Sequence, residues 1–277
     1  MESKTDPPTI LVTNDDGVFS EGIKLLAEAL EGLGRVVVVA PDREQSASGH
    51  SLTLHRPLRL RKIRDHWYSV DGTPTDCVNI AVLGLLKDEG KPDLVVSGIN
   101  FGPNLGDDVT YSGTVSATFE GSLLNIPSVA FSQEISEGFS FATGARFAHD
   151  FIEELLREPE DLPQDLLLNV NLPAGPIQGV KLTRLGHRVY QQSLVEKLDP
   201  RGRKYYWIAG SPVWTEEEGT DHAAVSSGYV SVTPLHLDLT DYRGLESYSG
   251  LEGRLTSRYP AEGPAEGPAE QPDGDEG

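Results

Sequence analysis

Through the first 135 residues, apolar runs alternate with stretches whose apolar residues recur at helical spacing. TILVTN (Thr9–Asn14), RVVVVAP (Arg35–Pro41) and PDLVVSG (Pro92–Gly98) carry Val, Ile and Leu almost without interruption. That is the pattern of a parallel strand covered on both faces. EGIKLLAEALEGL (Glu21–Leu33) reads as a helix between the first two. Thr73 and Pro74 supply a cap and a first helical position for TDCVNIAVLGLLKD (Thr75–Asp88). A third helix, VSATFEGSLL (Val115–Leu124), leads to a fourth strand, PSVAFS (Pro127–Ser132). Strands alternating with helices predict an α/β fold with a Rossmann-like, doubly wound, mainly parallel sheet.

Beyond Gly144 the texture changes. A helix over Ala145–Leu156 is followed by the short runs LLLNVNLP (Leu166–Pro173), GVKLTRL (Gly179–Leu185), KYYWIAG (Lys204–Gly210) and GYVSVTPL (Gly228–Leu235). These predict hairpins or arms attached to the sheet rather than further βαβ units. SLTLHRPLRLRKI (Ser51–Ile63) also alternates, and predicts an antiparallel excursion beside the core. The expected layout is a leader over residues 1–8, one α/β domain over 9–258, and a tail over 259–277. Within that domain, 9–135 form the core that carries the site, and 136–258 complete the core and supply the β arms.

The net charge of −20 argues against non-specific binding to nucleic acid. Six acidic and no basic residues fall in YPAEGPAEGPAEQPDGDEG (Tyr259–Gly277), which leaves −14 for the rest of the chain. That segment has almost nothing apolar to offset its ordering entropy, so it is expected to be a disordered, solubilising tail. No apolar run is long enough to span a membrane and MESKTDPPT lacks the core of a signal peptide, so a cytoplasmic location without a membrane partner is expected. The single cysteine, Cys77, has no partner for an intrachain disulfide and reads as a buried thiol.

Ligands of an open parallel sheet bind beyond the carboxyl ends of its strands. The first strand ends in Asn14-Asp15-Asp16-Gly17, the second in PDREQSASGH (Pro41–His50), and the third in SGINFGPNLGDD (Ser97–Asp108), which continues to Ser112-Gly113-Thr114. Asp15 and Asp16 repel one another unless a cation lies between them. The rim offers carboxylates, hydroxyls and amides, a ligand set suited to Mg²⁺ or Mn²⁺, and one cysteine is too few for a thiolate zinc site. Backbone amides at the helix beginning near Val115 form an anion site beside it. No dinucleotide, P-loop or nucleophile-elbow fingerprint is present.

NDDG (Asn14–Gly17), PDREQSASGHS (Pro41–Ser51), DGTPTDCV (Asp71–Val78), SGINFGPNLGDDVTYSGTVSAT (Ser97–Thr118) and GYVSVTPLHLDLT (Gly228–Thr240) together resemble the stationary-phase survival protein SurE family over about residues 9 to 245. The resemblance implies a metal-dependent hydrolase of nucleoside 5'- and 3'-monophosphates, with short polyphosphate as a further substrate. It implies one Mg²⁺ or Mn²⁺ per subunit on Asp15, Asp16, Ser46 and Asn100. Ser112, Gly113 and Thr114 would contact phosphate, with Asn14, Gly49, His50 and Asn104 lining the pocket. Asp15 is the preferred general base, a covalent aspartyl-phosphate being the alternative. A homodimer or homotetramer built through swapped C-terminal β arms is also implied. Two other classes compete: a receiver-like signalling module, which lacks the required aspartate at Ser97–Asn100, and a nucleotide-binding oligomer without turnover.

Overall fold

A computed structural model of the chain describes residues 7–157, 162–191, 194–208, 211–215 and 217–259. They fall into two compact units, one within residues 1–236 and one within 237–277. Nearly all of the expected leader and tail lie outside the described residues.

The first unit is built on a nine-stranded sheet of order β3-β4-β2-β1-β5-β6-β7-β13-β8. Its strands are β1 (Thr9–Thr13), β2 (Arg35–Pro41), β3 (Leu60–Arg64), β4 (Trp67–Val70), β5 (Leu94–Phe101), β6 (Ser128–Gln133), β7 (Leu167–Leu172), β8 (Val180–Leu182) and β13 (Val230–Pro234). From β4 to β7 every pairing is parallel. The antiparallel pairs are β3 with β4 and β7 with β13. Two small hairpins, β9 (Arg188–Gln191) with β12 (Ser211–Trp214) and β10 (Leu194–Leu198) with β11 (Lys204–Ile208), stand outside this sheet. Arms were expected in this half, and these hairpins supply them.

Helices α1 (Glu21–Leu30) and α4 (Ala142–Leu155) cover one face of the sheet. Ile23, Leu26 and Leu30 of α1, with Ala148 and Ile152 of α4, pack on Ile10, Val12, Val38, Leu94, Val96 and Phe131. The opposite face takes α2 (Pro74–Ile80) and α3 (Gly113–Leu123), through Cys77, Val78 and Ala117 on Leu11, Val37, Val39 and Val95. Adjacent strand residues alternate between these two cores, which is why the strand sequences show no polar face. Each fully buried Leu, Ile or Phe contributes about 1.5–3 kcal/mol. The remaining helices are α5 (Asp221–Ser226) and α6 (Tyr242–Thr256), the latter in the second unit.

Two sequence expectations need correction. The helix expected to reach Asp88 ends as α2 at Ile80 and continues as one wide turn over Ala81–Leu85. The Leu86 amide there reaches back to the Ala81 carbonyl at 2.8 Å, carrying Leu86 into the core. Of the four runs expected as hairpins or arms, Gly179–Leu185 and Gly228–Leu235 supply β8 and β13 of the central sheet, and the run at Leu166–Pro173 is no arm either. It is β7, a buried strand parallel to β6, and its alternation comes from Asn169 and Asn171, both fully buried.

Candidate active site

The strand order reverses between β1 and β5: the chain leaves β1 toward β2 on one side, while β5 to β7 extend the other. A crevice opens at such a reversal, beyond the carboxyl ends. Asp15 and Asp16 follow β1 directly into it.

The turn that holds them is tied by Asn14, whose Nδ2 donates to the Gly17 carbonyl at 3.1 Å and to Ser20 Oγ at 2.8 Å. Its Oδ1 accepts from the Gly17 amide at 3.2 Å. Asn14 therefore shapes the turn from beneath. Gly17, at φ +97°, lies where a β-carbon would come 3.1 Å from the Arg43 backbone.

Asp15 is 5 % exposed. It accepts a hydrogen bond from the Thr114 hydroxyl, and the Gly113 and Thr114 amides face it and favour its charge. Ser112 caps α3, its Oγ accepting from the Val115 amide at 3.1 Å, which aims the first-turn N–H groups at the aspartate. Burial pushes the Asp15 carboxyl up from its ordinary pKa, and these donors work against that rise. The N-terminus of α3, expected to hold an anion, thus already faces a carboxylate of the chain itself.

Asp16 is half-buried, and its Oδ2 lies 3.4 Å from the Phe101 amide. Burial, then the charge of Asp15, pushes its pKa up to about 6, and Glu44 adds to the rise. A carboxylate raised in this way is relieved by a proton or by a cation brought between the two side chains.

β5 reaches the crevice through a bulge, its register against β6 shifting between Ser97 and Asn100. Gly98, at φ +132°, approaches β6 so closely that a β-carbon would stand 2.3 Å from the Phe131 carbonyl. α1 seats on the same bulge, a β-carbon at Gly22 falling 2.2 Å from the Ile99 carbonyl. Asn100 emerges on the rim with its Nδ2 donating to the Gly102 carbonyl at 2.8 Å.

The loop after β2 closes the other side. The Gln45 amide donates to the Asp15 carbonyl at 2.7 Å, and the Gly49 amide to the Tyr111 carbonyl at 3.1 Å. Ser46 is exposed, its hydroxyl donating to Glu44 Oε1 at 2.6 Å. His50 turns away along α3: its Nε2 lies 2.8 Å from Glu120 Oε2, six residues and about 9 Å of helix from Thr114. The second Glu120 oxygen accepts from Asn79 Nδ2 at 2.8 Å.

Asn104 is held by the polar face of β7. Its carbonyl accepts from Asn169 and Asn171, its amide donates to Asn171 Oδ1, and its Nδ2 donates to Ser132 Oγ, all at 2.8–3.0 Å. Two residues on, the Gly106 amide donates to Asp221 Oδ2 at 2.7 Å, and Asp221 Oδ1 accepts from the Gly186 and His222 amides.

Sequence reasoning missed Ser48, Glu44 and Asp221. The Ser48 Oγ is buried with no hydrogen-bond partner among the described residues, and it faces Gly113. It lies in SASGHS one serine beyond Ser46, so the motif contained it without distinguishing it. Asp221 carried no local signal, since its partners are remote in sequence.

The donor set of Asp15, Asp16, Ser46 and Asn100 is all oxygen, hard, and carries two negative charges, one on nearly buried Asp15 and one on half-buried Asp16. These residues fit a small divalent cation that keeps several waters. Among the described residues no group of three or more His, Cys, Asp or Glu side chains is arranged to hold a metal, so such a site rests on the two carboxylates and neutral oxygens.

The family model for Survival protein SurE matches residues 10–192. The 5'-nucleotidase SurE of Syntrophotalea carbinolica is 56% identical over 245 residues, 87% of this chain and 96% of the relative. The namesake of Myxococcus xanthus is 50% identical over 260 residues, 93% of this chain and 98% of the relative. The crystal structure of the SurE protein from Aquifex aeolicus superposes with a TM-score of 0.79 at 53% identity, covering 88% of this chain and all of that one.

Proposed function

The chain belongs to the SurE family, and from that premise we propose that it is a nucleotidase, hydrolysing nucleoside monophosphates to nucleoside and inorganic phosphate at the Asp15–Asp16 crevice. The observation that carries this reading is the meeting of two adjacent carboxylates with the N-terminus of α3 at the point where the strand order reverses.

In this proposal Asp15, Asp16, Ser46 and Asn100 would hold one Mg²⁺ or Mn²⁺, which when bound would supply Lewis-acid chemistry at the phosphate. The Ser48 hydroxyl, buried beside Gly113 with no partner among the described residues, offers a donor to an equatorial phosphoryl oxygen, while the Gly113 and Thr114 amides hold Asp15. Asp15 Oδ1 already accepts from Thr114, whereas Asp16 stands half-exposed at the rim. Asp16 is therefore the carboxylate better placed to orient the attacking water and receive its proton, while Asp15 anchors the site. Ser46 must rotate away from Glu44 to take part. Asn104, held from three directions, lines the far wall.

Homo-oligomerisation through the hairpins belongs to the same proposal. Val195, Trp207 and Ile208 of the β10–β11 hairpin are 39%, 60% and 89% exposed, a concentration of apolar surface suited to a second copy. Among the described residues no helix is long and apolar enough to cross a membrane.

Phosphate release from 5'- and 3'-nucleoside monophosphates and short polyphosphate, measured with Mn²⁺, Mg²⁺ or EDTA, tests the reading. Turnover that needs the ion and collapses in Asp16→Asn is the expected result. Absence of release with every ion and ester would overturn it.

A further inference from the structure

Three large aromatic side chains in the segments that carry the site residues are exposed: Phe19 at 75%, Tyr111 at 64% and Phe101 at 55%. They differ in how they are held. The Phe101 ring meets Phe139 edge-to-face at 5.2 Å and 83°, and lies 6.3 Å from Phe141, itself 6% exposed. Phe139 and Phe141 in turn meet edge-to-face at 4.7 Å and 86°. Among the described residues neither Phe19 nor Tyr111 has such a ring neighbour.

Phe101 is therefore a ring backed by two others, with much of its surface open to solvent. It directly follows Asn100, and its own amide faces the Asp16 carboxylate. Ile135, 44% exposed, lies next to Gly102, the residue that follows Phe101, where an added β-carbon would stand 3.8 Å from its Cδ1. A flat apolar surface at the edge of a polar crevice suits a ligand with one highly charged end and one aromatic end. A buttressed ring also costs little entropy to use as a platform.

We propose that Phe101 is a specificity-determining residue, its open face stacking the base of the substrate while the phosphate lies against Asp15, Asp16 and α3. This rests on the nucleotidase reading above. A larger π surface gains more from stacking, so the shelf selects purine over pyrimidine nucleoside monophosphates and gives nothing to a phosphomonoester without a base.

The test compares the native chain with Phe101→Ala, Phe101→Leu and Phe101→Trp on AMP, CMP and ribose 5-phosphate. The Ala and Leu variants are expected to lose about tenfold in kcat/KM on AMP, mostly through KM, and less on CMP. Ribose 5-phosphate should be hydrolysed unchanged, and Phe101→Trp should retain AMP turnover. Equal losses on all three substrates, or none on AMP, would overturn the inference. So would a Tyr111→Ala variant that alone shows the AMP-selective loss. Calorimetric titration with a non-hydrolysable phosphonate analogue of AMP in the presence of Mg²⁺ separates this inference from the reading beneath it: equal affinity in native and Phe101→Ala protein overturns the shelf, whether or not either protein hydrolyses AMP.

Discussion

Gly113 lies so close to Asp15 that a β-carbon added to it would stand 2.7 Å from the aspartate's own Cβ and 2.9 Å from Ser48 Oγ. The first residue of α3 is thus pressed onto a nearly buried carboxylate, and only a bare α-carbon fits between them. In an exposed helix, Gly→Ala would stabilise by up to about 1 kcal/mol. Here Gly113→Ala must displace Asp15 or the helix end. Since a shift of roughly 1 Å can cost about a hundredfold in rate, phosphate release should fall by that order while far-UV circular dichroism stays native. Activity within a few-fold of native would show that the contact is slack.

The Asp16 carboxyl, raised to about 6 by burial and by Asp15, makes a prediction about stability without metal. A carboxyl whose folded pKa lies above its unfolded value of 3.8 binds protons more readily in the folded state. Ionised Asp16 therefore costs stability above about pH 6, and the cost is relieved as pH falls toward 4. In EDTA, Asp16→Asn should melt above the native protein at pH 7.5, the gap closing between pH 6 and pH 4. Added Mg²⁺ should raise the Tm of the native protein and not of the variant. A Tm gap independent of pH would refute the assignment.

Thr114, fully buried, gives its hydroxyl to Asp15. Replacing it by the isosteric Val leaves a buried acceptor short of one partner, a loss of about 1–3 kcal/mol, whereas Ser restores the donor. Thermal unfolding should therefore rank native and Thr114→Ser together above Thr114→Val, and metal affinity by titration should follow the same order. Equal behaviour of Ser and Val would locate the role of Thr114 in its methyl group.

Glu120 is 7% exposed and accepts from both Asn79 and His50. Glu120→Ala strips two partners at once and should lower stability by about 1–3 kcal/mol. His50→Ala should cost less, because the His50 side chain is 31% exposed and water replaces it. If His50→Ala proves the more damaging to turnover while leaving Tm unchanged, the histidine acts on substrate rather than as the partner of Glu120.

The central strands and the site motifs were legible because their signals are local. β1, β2, β5 and β6 sit between two helical layers, so their sequences are apolar without alternation. Asp15 and Asp16 declare themselves by adjacency at a strand end. β7 was misread because alternation is ordinarily a sign of a wet face, and the polar face of β7 is dry: Asn169 and Asn171 spend their amides on Asn104. Ser48 was hidden for another reason. It shares a loop with Ser46, and only the fold shows which hydroxyl is buried against α3.

Asp221 gives one carboxylate oxygen to Gly106, in the loop that leads to α3, and the other to Gly186 and His222, more than seventy residues further along. The proposed ligands and phosphate contacts end at Thr114, yet the loop that leads to them is pinned by a residue from the far end of the sheet. Modularity stops at that bond. A fragment closing after β6 would hold every proposed ligand and still leave the Gly106 amide without its partner, so the smallest piece of this chain that can be grafted, permuted or minimised as a working site extends through β13.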